Sequence, residues 1–369
     1  MTVARSRPSW IDVDLGAIRS NAAALAQLCA PAELCAVVKA DGYGHGAPAV
    51  AAAALDGGAA WLAVAVVEEA VELRQSGIDA DILVLADAPP STIGEASAAR
   101  LALTVTTAES IDAVARLASG RTPVHLKVDT GMHRLGCAPS DALPLARQLA
   151  GAGVHLQGVM THLACADDPA QDALTAQQLA RFMDAVAVLR TGGHSPELVH
   201  AASSAGALNH PDSRQDMVRC GISLYGYAPS GLRPLPPGLE LERALSLKTA
   251  VAAVREVKAG DGVGYGWRWT AAEPCRIATL PLGYADGVPR ALSGQAEVLI
   301  RGKRRELAAV TMDQLMVQCD EEVEAGDEVV LVGRQGSEQV TADDWARLTG
   351  TISYEILARL GPRLPRRYV

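Results

Sequence analysis

The chain has 369 residues, of which 49% are hydrophobic and 20% are charged, and its formal net charge is −9. This length exceeds the usual size of one hydrophobic core, so we expect two domains, and the composition excludes a largely disordered chain. The charge is spread along the sequence, apart from a basic cluster at 301–305 that we interpret as a solvated turn or strand end. Nucleic acid is therefore not an expected partner.

The N-terminal segment and the cysteines indicate the cellular compartment. MTVARSRPSW has basic residues without an apolar stretch behind them, and the apolar runs are too short and interrupted to cross a bilayer. Seven cysteines, odd in number and without closely spaced pairs, argue against a disulfide framework and against a structural zinc site. We expect a cytoplasmic protein with reduced cysteines, no metal and no membrane partner.

Eight short apolar segments recur through the first two-thirds of the chain, with Ala- and Leu-rich segments of helical spacing between them. The segments are LCAVVKA (34–40), WLAVAV (61–66), DILVLAD (81–87), LALTV (101–105), VHLKVD (124–129), LQGVMTH (156–162), LVHAA (198–202) and MVRCGIS (217–223). Continuous apolar strands that alternate with helices indicate a parallel sheet covered by helices. A count of eight favours an α/β fold of the (β/α)8 TIM-type barrel class over an open sheet.

A Pro- and Gly-rich segment, APSGLRPLPPGLE (228–240), marks the predicted domain boundary. We place the barrel domain at 1–235 and a mainly β C-terminal domain at 236–369, because strand-like segments separated by Gly and Asp turns follow the boundary. Near the C-terminus, TADDWARLTG and ISYEILARLG show helical spacing. The N-terminal SWIDVDL (about 9–15) alternates polar and apolar residues, so we expect it to pair outside the barrel with the C-terminal domain.

The first predicted strand ends in Lys39 and runs into DGYGHG. A barrel carries its working residues at the carboxyl ends of its strands, and the glycines of this segment permit unusual backbone angles and close approach of a ligand. A lysine amine becomes nucleophilic when desolvation or a nearby cation lowers its pKa, which is what imine formation requires. The alternative is a lysine whose stem lies along the strand end while its amine reaches solvent.

Polar residues also follow the sixth, seventh and eighth strands. Ser204 is predicted to open a helix, and the amides of Gly221 and Ile222 follow strand eight, where barrels often bind phosphate. Ser204 taken alone fits a helix cap equally well. Arg219 lies within an apolar strand, so we expect it to meet a ligand or a buried partner. His162 is either part of this cluster or a satisfied core histidine.

Taken together, these segments resemble those of the bacterial alanine racemases. AVVKADGYGHG is similar to the cofactor-lysine signature of that family, and the match continues through HLKVDTGMHRLG, MTHLACAD, MVRCGISLYG, GYGWRW, LPLGYADG, TMDQLMV and TISYEIL. The resemblance spans nearly the whole chain, which makes it more specific than a single glycine loop. It implies an isomerase that interconverts L- and D-alanine with pyridoxal 5'-phosphate and supplies D-alanine for peptidoglycan. It also implies a homodimer in which the partner's second domain completes each active site.

The resemblance implies two catalytic residues on opposite faces of the substrate Cα–H. Lys39 forms the imine with the cofactor and is the base on one face, while Tyr265 of the partner subunit is the base on the other. His162 and Arg219 are implied to stabilise the tyrosine phenolate. Arg219 opposite the pyridine nitrogen would keep that nitrogen unprotonated, because a guanidinium does not yield its proton.

The remaining implied residues are grouped by what they contact. They are Tyr43, Arg134, His162, Ser204, Arg219, Gly221, Ile222 and Tyr354 for the cofactor; Arg134 and Met312 for the substrate carboxylate; Tyr284, Arg290 and Asp313 for the substrate entrance; and Lys127 as a possible carbamylated lysine that orients Arg134. Without the resemblance, Tyr265 reads as a turn aromatic and Met312 as a core side chain.

Alternative functions are a broad-specificity amino-acid racemase, a barrel decarboxylase of similar fold, and a non-catalytic pyridoxal phosphate carrier. A decarboxylase has no need of a tyrosine base opposite the lysine, and small carriers with this barrel lack the second domain. Ser203 and Thr311 stand where the family often has Asn and Cys, which affects substrate range rather than the chemistry. The sequence does not rank serine against alanine as a substrate.

Overall fold

A computed structural model describes residues 7–120, 122–230 and 232–369. Within these ranges the chain forms two compact units. The barrel unit contains Gly16–Gly42 and Ala47–Glu242, and the β unit contains residues 7–15 together with Tyr43–Gly46 and Arg243–Val369. The domain boundary between residues 235 and 236 stays a prediction.

Among the described residues, eight strands of the barrel unit form a nearly closed parallel barrel. After β1 (Ser9–Val13), which belongs to the β unit, the barrel strands are β2 (Glu33–Val37), β3 (Trp61–Val64), β4 (Asp81–Asp87), β5 (Ala102–Val105), β6 (Val124–Lys127), β7 (Leu156–Met160), β8 (Leu198–His200) and β9 (Met217–Cys220). Neighbours pair in chain order from β2 to β8, and β9 pairs with β2. The seventh and eighth barrel strands are β8 and β9. An isolated parallel bridge joins Ser203, which follows β8, to Arg219 of β9. The predicted fold class is confirmed.

In the part of the chain that the structure describes, one helix precedes the first barrel strand, seven helices follow along the barrel, and the last of them is almost fully buried. They are α1 (Leu15–Cys29), α2 (Ala47–Asp56), α3 (Val67–Gln75), α4 (Ile93–Ala98), α5 (Ala108–Leu117), α6 (Ala142–Gly151), α7 (Asp172–Thr191) and α8 (Ser204–Asn209). Short 3-10 turns at Pro90–Thr92, Pro139–Asp141, Pro169–Gln171 and Pro211–Ser213 each begin with proline, whose fixed φ suits a first helical position. No helix in the described ranges is long and apolar enough to cross a membrane.

The β unit is built on a mixed sheet. Its further strands are β10 (Leu245–Ala250), β11 (Ala253–Val257), β12 (Gly262–Val263), β13 (Trp269–Thr270), β14 (Cys275–Leu280), β15 (Glu297–Ile300), β16 (Lys303–Val310), β17 (Leu315–Cys319), β18 (Glu328–Gln335), β19 (Glu338–Val340) and β20 (Arg366–Tyr368). β1 pairs antiparallel with β10 and parallel with β20. Because β10 buries alternate residues, one face of this part of the sheet covers the core.

Two helices close the β unit, α9 (Ala342–Thr349) and α10 (Ser353–Ala358), as the helical spacing predicted. The Thr341 side chain accepts a hydrogen bond from the amide of Asp344, and Gly350 ends α9 with a φ of 69°. This is an N-cap followed by a left-handed C-terminal residue, for which glycine carries no steric cost.

The basic cluster at 301–305 lies around the turn between β15 and β16 and is neutralised by carboxylates. Lys303 is 2.6 Å from Glu322, and Arg304 is 2.6 Å from Glu338 and 3.0 Å from Glu297. Because these are largely exposed pairs, each adds little stability. The interpretation of the cluster as a solvated strand end is confirmed.

Candidate functional site

The segment after Lys39 is a left-handed turn. Ala40, Asp41 and Gly42 have φ values of 53°, 52° and 60°. L-residues rarely adopt this conformation, and runs of it are rarer still. The Gly42 amide donates to the Val38 carbonyl over 2.9 Å, which fixes the beginning of the turn against the end of β2. The backbone therefore sets the direction in which Lys39 leaves the barrel strand.

Lys39 is half-buried at this strand end. Burial lowers the pKa of its amine, the neighbouring Arg134 guanidinium lowers it further, and Glu69 opposes both by raising it. The neutral amine is the nucleophilic form. Lys39 thus has the environment that activates a lysine toward a carbonyl compound.

Further cations surround the same end of the barrel. Burial, followed by repulsion from Arg219, Arg134 and Lys39, lowers the pKa of Lys127 to about 8. The charges of the other three cations all act on Lys127, and such a group of positive side chains favours an anionic ligand, such as a phosphate or a carboxylate. The structure therefore brings these four predicted site residues together.

Arg134 lies on a short loop, and hydrogen bonds within the loop stabilise its conformation. The Asp129 Oδ1 atom accepts the amides of residues 131–133 over 2.9, 3.0 and 3.1 Å. The Asp129 amide donates to the Cys137 carbonyl over 2.8 Å. Gly136 has a φ of 142°, and a Cβ there would lie 2.6 Å from the Asp129 nitrogen. Glycine is needed at this close approach, and the loop presents an exposed Arg134.

Arg219 meets the buried partners that its place in an apolar strand predicted. Its Nη1 donates to His200 Nδ1 over 2.7 Å, and its Nη2 donates to the Thr161 carbonyl over 2.8 Å. Nη2 is also 3.4 Å from Nδ1 of His162. Because a guanidinium has no acceptor, His200 Nδ1 must accept, and its Nε2–H donates to His125 Nδ1 over 2.8 Å.

The three histidines around Arg219, which are His125, His162 and His200, are neutral. Burial lowers the pKa of His125 to about 4 and places the pKa of His200 well below its usual range. Burial, followed by repulsion from Arg219, lowers the pKa of His162 to about 3. Because the His200 and His125 rings are neutral, the hydrogen bonds have one direction, from Arg219 to His200 and from His200 to His125. These bonds hold the Arg219 guanidinium in one orientation. Sequence reasoning missed His125 and His200, whose signal is a polar residue inside an apolar barrel strand.

The His125 ring occupies the space that Gly158 leaves open on the neighbouring strand. A Cβ at Gly158 would lie 2.3 Å from His125 Nδ1. We expect Gly158→Ala to lower the free energy of unfolding by about 1–3 kcal/mol, because the ring has to move within a packed interior. Equilibrium urea unfolding measures the effect.

Gly151→Ala is the matched control, since a Cβ there meets nothing within 4 Å and the residue ends α6. Equal unfolding free energies for the two variants would show that the space beside His125 is not constrained.

Ser204 begins α8 and connects it to the segment after β9. Its Oγ accepts the amide of Gly221 over 3.0 Å and that of Ser223 over 3.4 Å. Ile222 follows in a 3-10 turn, Ile222–Tyr225. The structure brings the predicted phosphate ligands Ser204, Gly221 and Ile222 together, with the Gly221 amide already donating to the serine.

Within the β unit, three of the predicted site residues have exposed hydrophobic side chains, which are Tyr265, Tyr284 and Met312. Tyr265 is 84% exposed and follows Gly264, whose φ is 76°. Met312 is 52% and Tyr284 is 42% exposed. The Tyr284 amide donates to the Thr311 carbonyl over 3.0 Å, so the loops that carry Tyr284 and Met312 are neighbours. Tyr284 and Met312 are therefore exposed side chains on neighbouring loops.

The other predicted residues of this unit also have defined positions. Arg290 is exposed, and Asp313 accepts a hydrogen bond from Arg363 Nη2 over 2.7 Å. The rings of Tyr43 and Tyr354 are 6.2 Å apart at a tilt of 52°. Burial raises the pKa of the Tyr43 hydroxyl to about 12, so it stays protonated and acts as a hydrogen-bond donor.

Comparison with known proteins shows which family this chain matches. The family described as alanine racemase, N-terminal domain, matches residues 13–229, and that described as alanine racemase, C-terminal domain, matches residues 244–368. The chain is similar to the alanine racemase of Symbiobacterium thermophilum, with 46% identity over 98% of this chain and 97% of that protein. It is 44% identical to the alanine racemase of Thermobifida fusca, over 96% of each chain. The crystal structure of alanine racemase from Bacillus anthracis with bound L-Ala-P is similar with a TM-score of 0.94 at 39% identity, covering 100% of this chain and 96% of that one.

Proposed function

The chain belongs to the alanine racemase family, and from that premise we propose that it interconverts L- and D-alanine with pyridoxal 5'-phosphate as cofactor. The reaction is an isomerisation, and its role is to supply D-alanine for peptidoglycan. One observation carries the proposal: a half-buried lysine with a lowered pKa lies at the carboxyl end of a barrel strand, within a group of cations. A cytoplasmic location stays a prediction.

The chemistry of the barrel end fits a phosphorylated aldehyde. Lys39 provides an amine that condenses with a carbonyl carbon. Ser204 and the Ile222 amide are proposed as donors at the strand ends where barrels hold phosphate, and the Gly221 amide, which donates to Ser204 Oγ in this structure, is proposed to donate to the phosphate when it is bound. When bound, pyridoxal phosphate supplies an aldehyde that bonds to amines and a ring that delocalises the electron pair left at Cα. Tyr43 and Tyr354 are proposed as further phosphate ligands.

Arg219 is proposed to face the cofactor ring and to donate a hydrogen bond without losing its proton. The inward hydrogen bonds to His200 and onward to His125 support this role, because they hold the guanidinium in one orientation. His162, whose Nδ1 is 3.4 Å from Arg219 Nη2, is proposed to donate a hydrogen bond from Nε2 to the phenolate of a catalytic tyrosine. A ring nitrogen that stays unprotonated weakens electron withdrawal and restrains side reactions.

Inversion at Cα requires proton transfer on both faces of one carbon atom. Lys39 is proposed as the base on one face. We propose that Tyr265 of the partner subunit is the base on the other, in a homodimer with shared active sites. The 84% exposure of Tyr265 supports this, since a side chain so open to solvent is not positioned by its own unit. Met312 is proposed to contact the substrate carboxylate, and the substrate entrance is proposed to include Tyr284, Arg290 and Asp313.

Lys127 is proposed to carry a carbamate. Its pKa is lowered to about 8, so roughly a tenth of the amine is neutral at pH 7, and the neutral form reacts with carbon dioxide. Carbamylation would turn a cation among cations into an anion. It would relieve the repulsion from Arg134 and Arg219 and would fix Arg134, which is proposed to contact the substrate carboxylate and the phenolic oxygen of the cofactor.

The test is incubation of the purified protein with L-alanine in deuterium oxide. We expect D-alanine to form and deuterium to appear at Cα, as measured by chiral chromatography and mass spectrometry. If no D-alanine forms and no deuterium appears at Cα, the proposal is contradicted. Serine and other small amino acids in the same assay decide between an alanine enzyme and a broad-specificity racemase, and carbon dioxide release identifies a decarboxylase.

A further inference from the structure

We propose that Glu69 is a positioning residue for Lys39, and that its carboxylate holds the peptide bond after Lys39 in the left-handed conformation. The inference rests on the proposed function, because it assigns Glu69 a part in the chemistry of Lys39. Glu69 lies in the first turn of α3, which follows β3. Nothing in the sequence pattern around it indicates such a role.

One carboxylate connects two adjacent strand ends. Oε1 of Glu69 accepts the amide of Ala40 over 2.7 Å. Oε2 accepts the amide of Ala65 over 2.7 Å and that of Val66 over 3.4 Å. The second oxygen performs an ordinary helix cap, for which one oxygen is sufficient. The first oxygen reaches beyond the helix to the amide immediately following Lys39, which a cap does not require.

The turn that Glu69 holds is strained. Ala40 and Asp41 are non-glycine residues with φ values of 53° and 52°. Strained backbone persists only where the surrounding contacts over-determine it. Asp41 holds the far end, since its Oδ1 accepts the amide of Ala47 over 3.0 Å. At the near end, Glu69 adds a charge-assisted bond to the Ala40 amide beside the backbone bond from Gly42 to Val38.

The charge of Glu69 also acts on Lys39 directly. It raises the pKa of the lysine, while burial and Arg134 lower it. Glu69 is therefore the group that opposes the cations around Lys39. A loss of its charge is expected to move the lysine further toward the neutral amine.

The first experiment measures the reactivity of Lys39 in the full-length chain. Glu69→Gln removes the negative charge but keeps one acceptor oxygen, whereas Glu69→Ala removes the charge and both acceptor oxygens. Glu68→Gln is the matched control, because Glu68 is an exposed residue of the same helical turn. Any pyridoxal 5'-phosphate bound to Lys39 is first removed. The protein is then acetylated at a series of pH values, and mass spectrometry of the peptide that contains Lys39 gives the pH at which labelling is half-maximal, the labelling midpoint. We expect a lower midpoint for Glu69→Gln than for wild type or Glu68→Gln.

The second experiment measures turnover and its rescue. Both Glu69 variants are expected to lower kcat about ten- to a hundredfold, with a smaller effect on KM, because a misplaced reacting group loses rate rather than binding. Ala40→Gly in the Glu69→Ala background is expected to recover part of the loss, roughly threefold or more, since glycine takes the left-handed conformation without steric cost.

The outcomes separate this inference from the proposed function. If wild type fails to racemise alanine while the labelling midpoint of Glu69→Gln still falls, the proposed function is wrong but the coupling between Glu69 and Lys39 stands. If the midpoints of Glu69→Gln and Glu68→Gln agree, or if Ala40→Gly gives no rescue, the positioning role is wrong. Should Glu69→Ala fail to fold, the labelling midpoint and kcat of Glu69→Gln decide alone.

Discussion

Replacing Lys39 with alanine is expected to abolish covalent attachment of the cofactor and to lower kcat for alanine racemisation by on the order of 10⁴-fold or more. The amine is the proposed nucleophile and the base on one face, and its lowered pKa at the barrel end equips it for both roles. Visible absorption before and after borohydride reduction measures attachment, and chiral chromatography measures racemisation.

Two variants make this result specific. Lys39→Arg keeps a positive charge but has no amine that can form an imine, so it should be as inactive as the alanine variant. Lys258→Ala removes an exposed lysine of the β unit and should retain the wild-type rate. Substantial racemisation by both Lys39 variants would rule out the assignment of Lys39.

Replacing Tyr265 with alanine or phenylalanine is expected to leave the cofactor bound while kcat falls about 10²–10⁴-fold, the usual contribution of a general base. Because the side chain is 84% exposed, neither substitution should lower the free energy of unfolding by more than about 0.5 kcal/mol. Phenylalanine retains the ring and removes the hydroxyl, so similar losses in both variants would assign the effect to the hydroxyl.

Hydrogen exchange at Cα tests the two-base assignment better than rates in the two directions. The enantiomers have equal free energies, so kcat/KM must stay equal in both directions for any variant. In deuterium oxide, a Tyr265 variant should still exchange the Cα hydrogen of the enantiomer that faces Lys39, with retention, and exchange that of the other enantiomer far more slowly. Equal suppression for both enantiomers would contradict the assignment.

The Tyr265 assignment also depends on assembly. If the partner subunit supplies the tyrosine, mixing inactive Lys39→Ala and Tyr265→Ala chains should restore activity in heterodimers that contain one intact site. Sedimentation at assay concentration gives the oligomeric state. A strictly monomeric active protein would remove the basis for a partner tyrosine.

Much of the fold followed from the sequence because a barrel strand is buried on both faces. The sequence of such a strand is a continuous apolar run, and each of the eight runs overlaps an observed strand. The two C-terminal helices were equally readable, since Thr341 and Gly350 mark the ends of α9 by local backbone chemistry. Family membership likewise came from motifs in order along the chain.

The site was predicted unevenly. Physical reasoning reached Lys39, which ends an apolar strand beside glycines, and Arg219, whose burial demanded a partner. It did not reach Tyr265, which has no local feature of a base and is implied only by the family resemblance.

The sequence by itself determined the lysine at the first strand end, since strand, turn and cap signals act over a few neighbouring residues. Only the tertiary structure decided what surrounds that lysine and Arg219. His200 is 75 residues from His125 along the chain, and Glu69 is 29 residues from Ala40. These contacts form because parallel strands place distant residues side by side, and local sequence patterns carry no record of which side chains then meet.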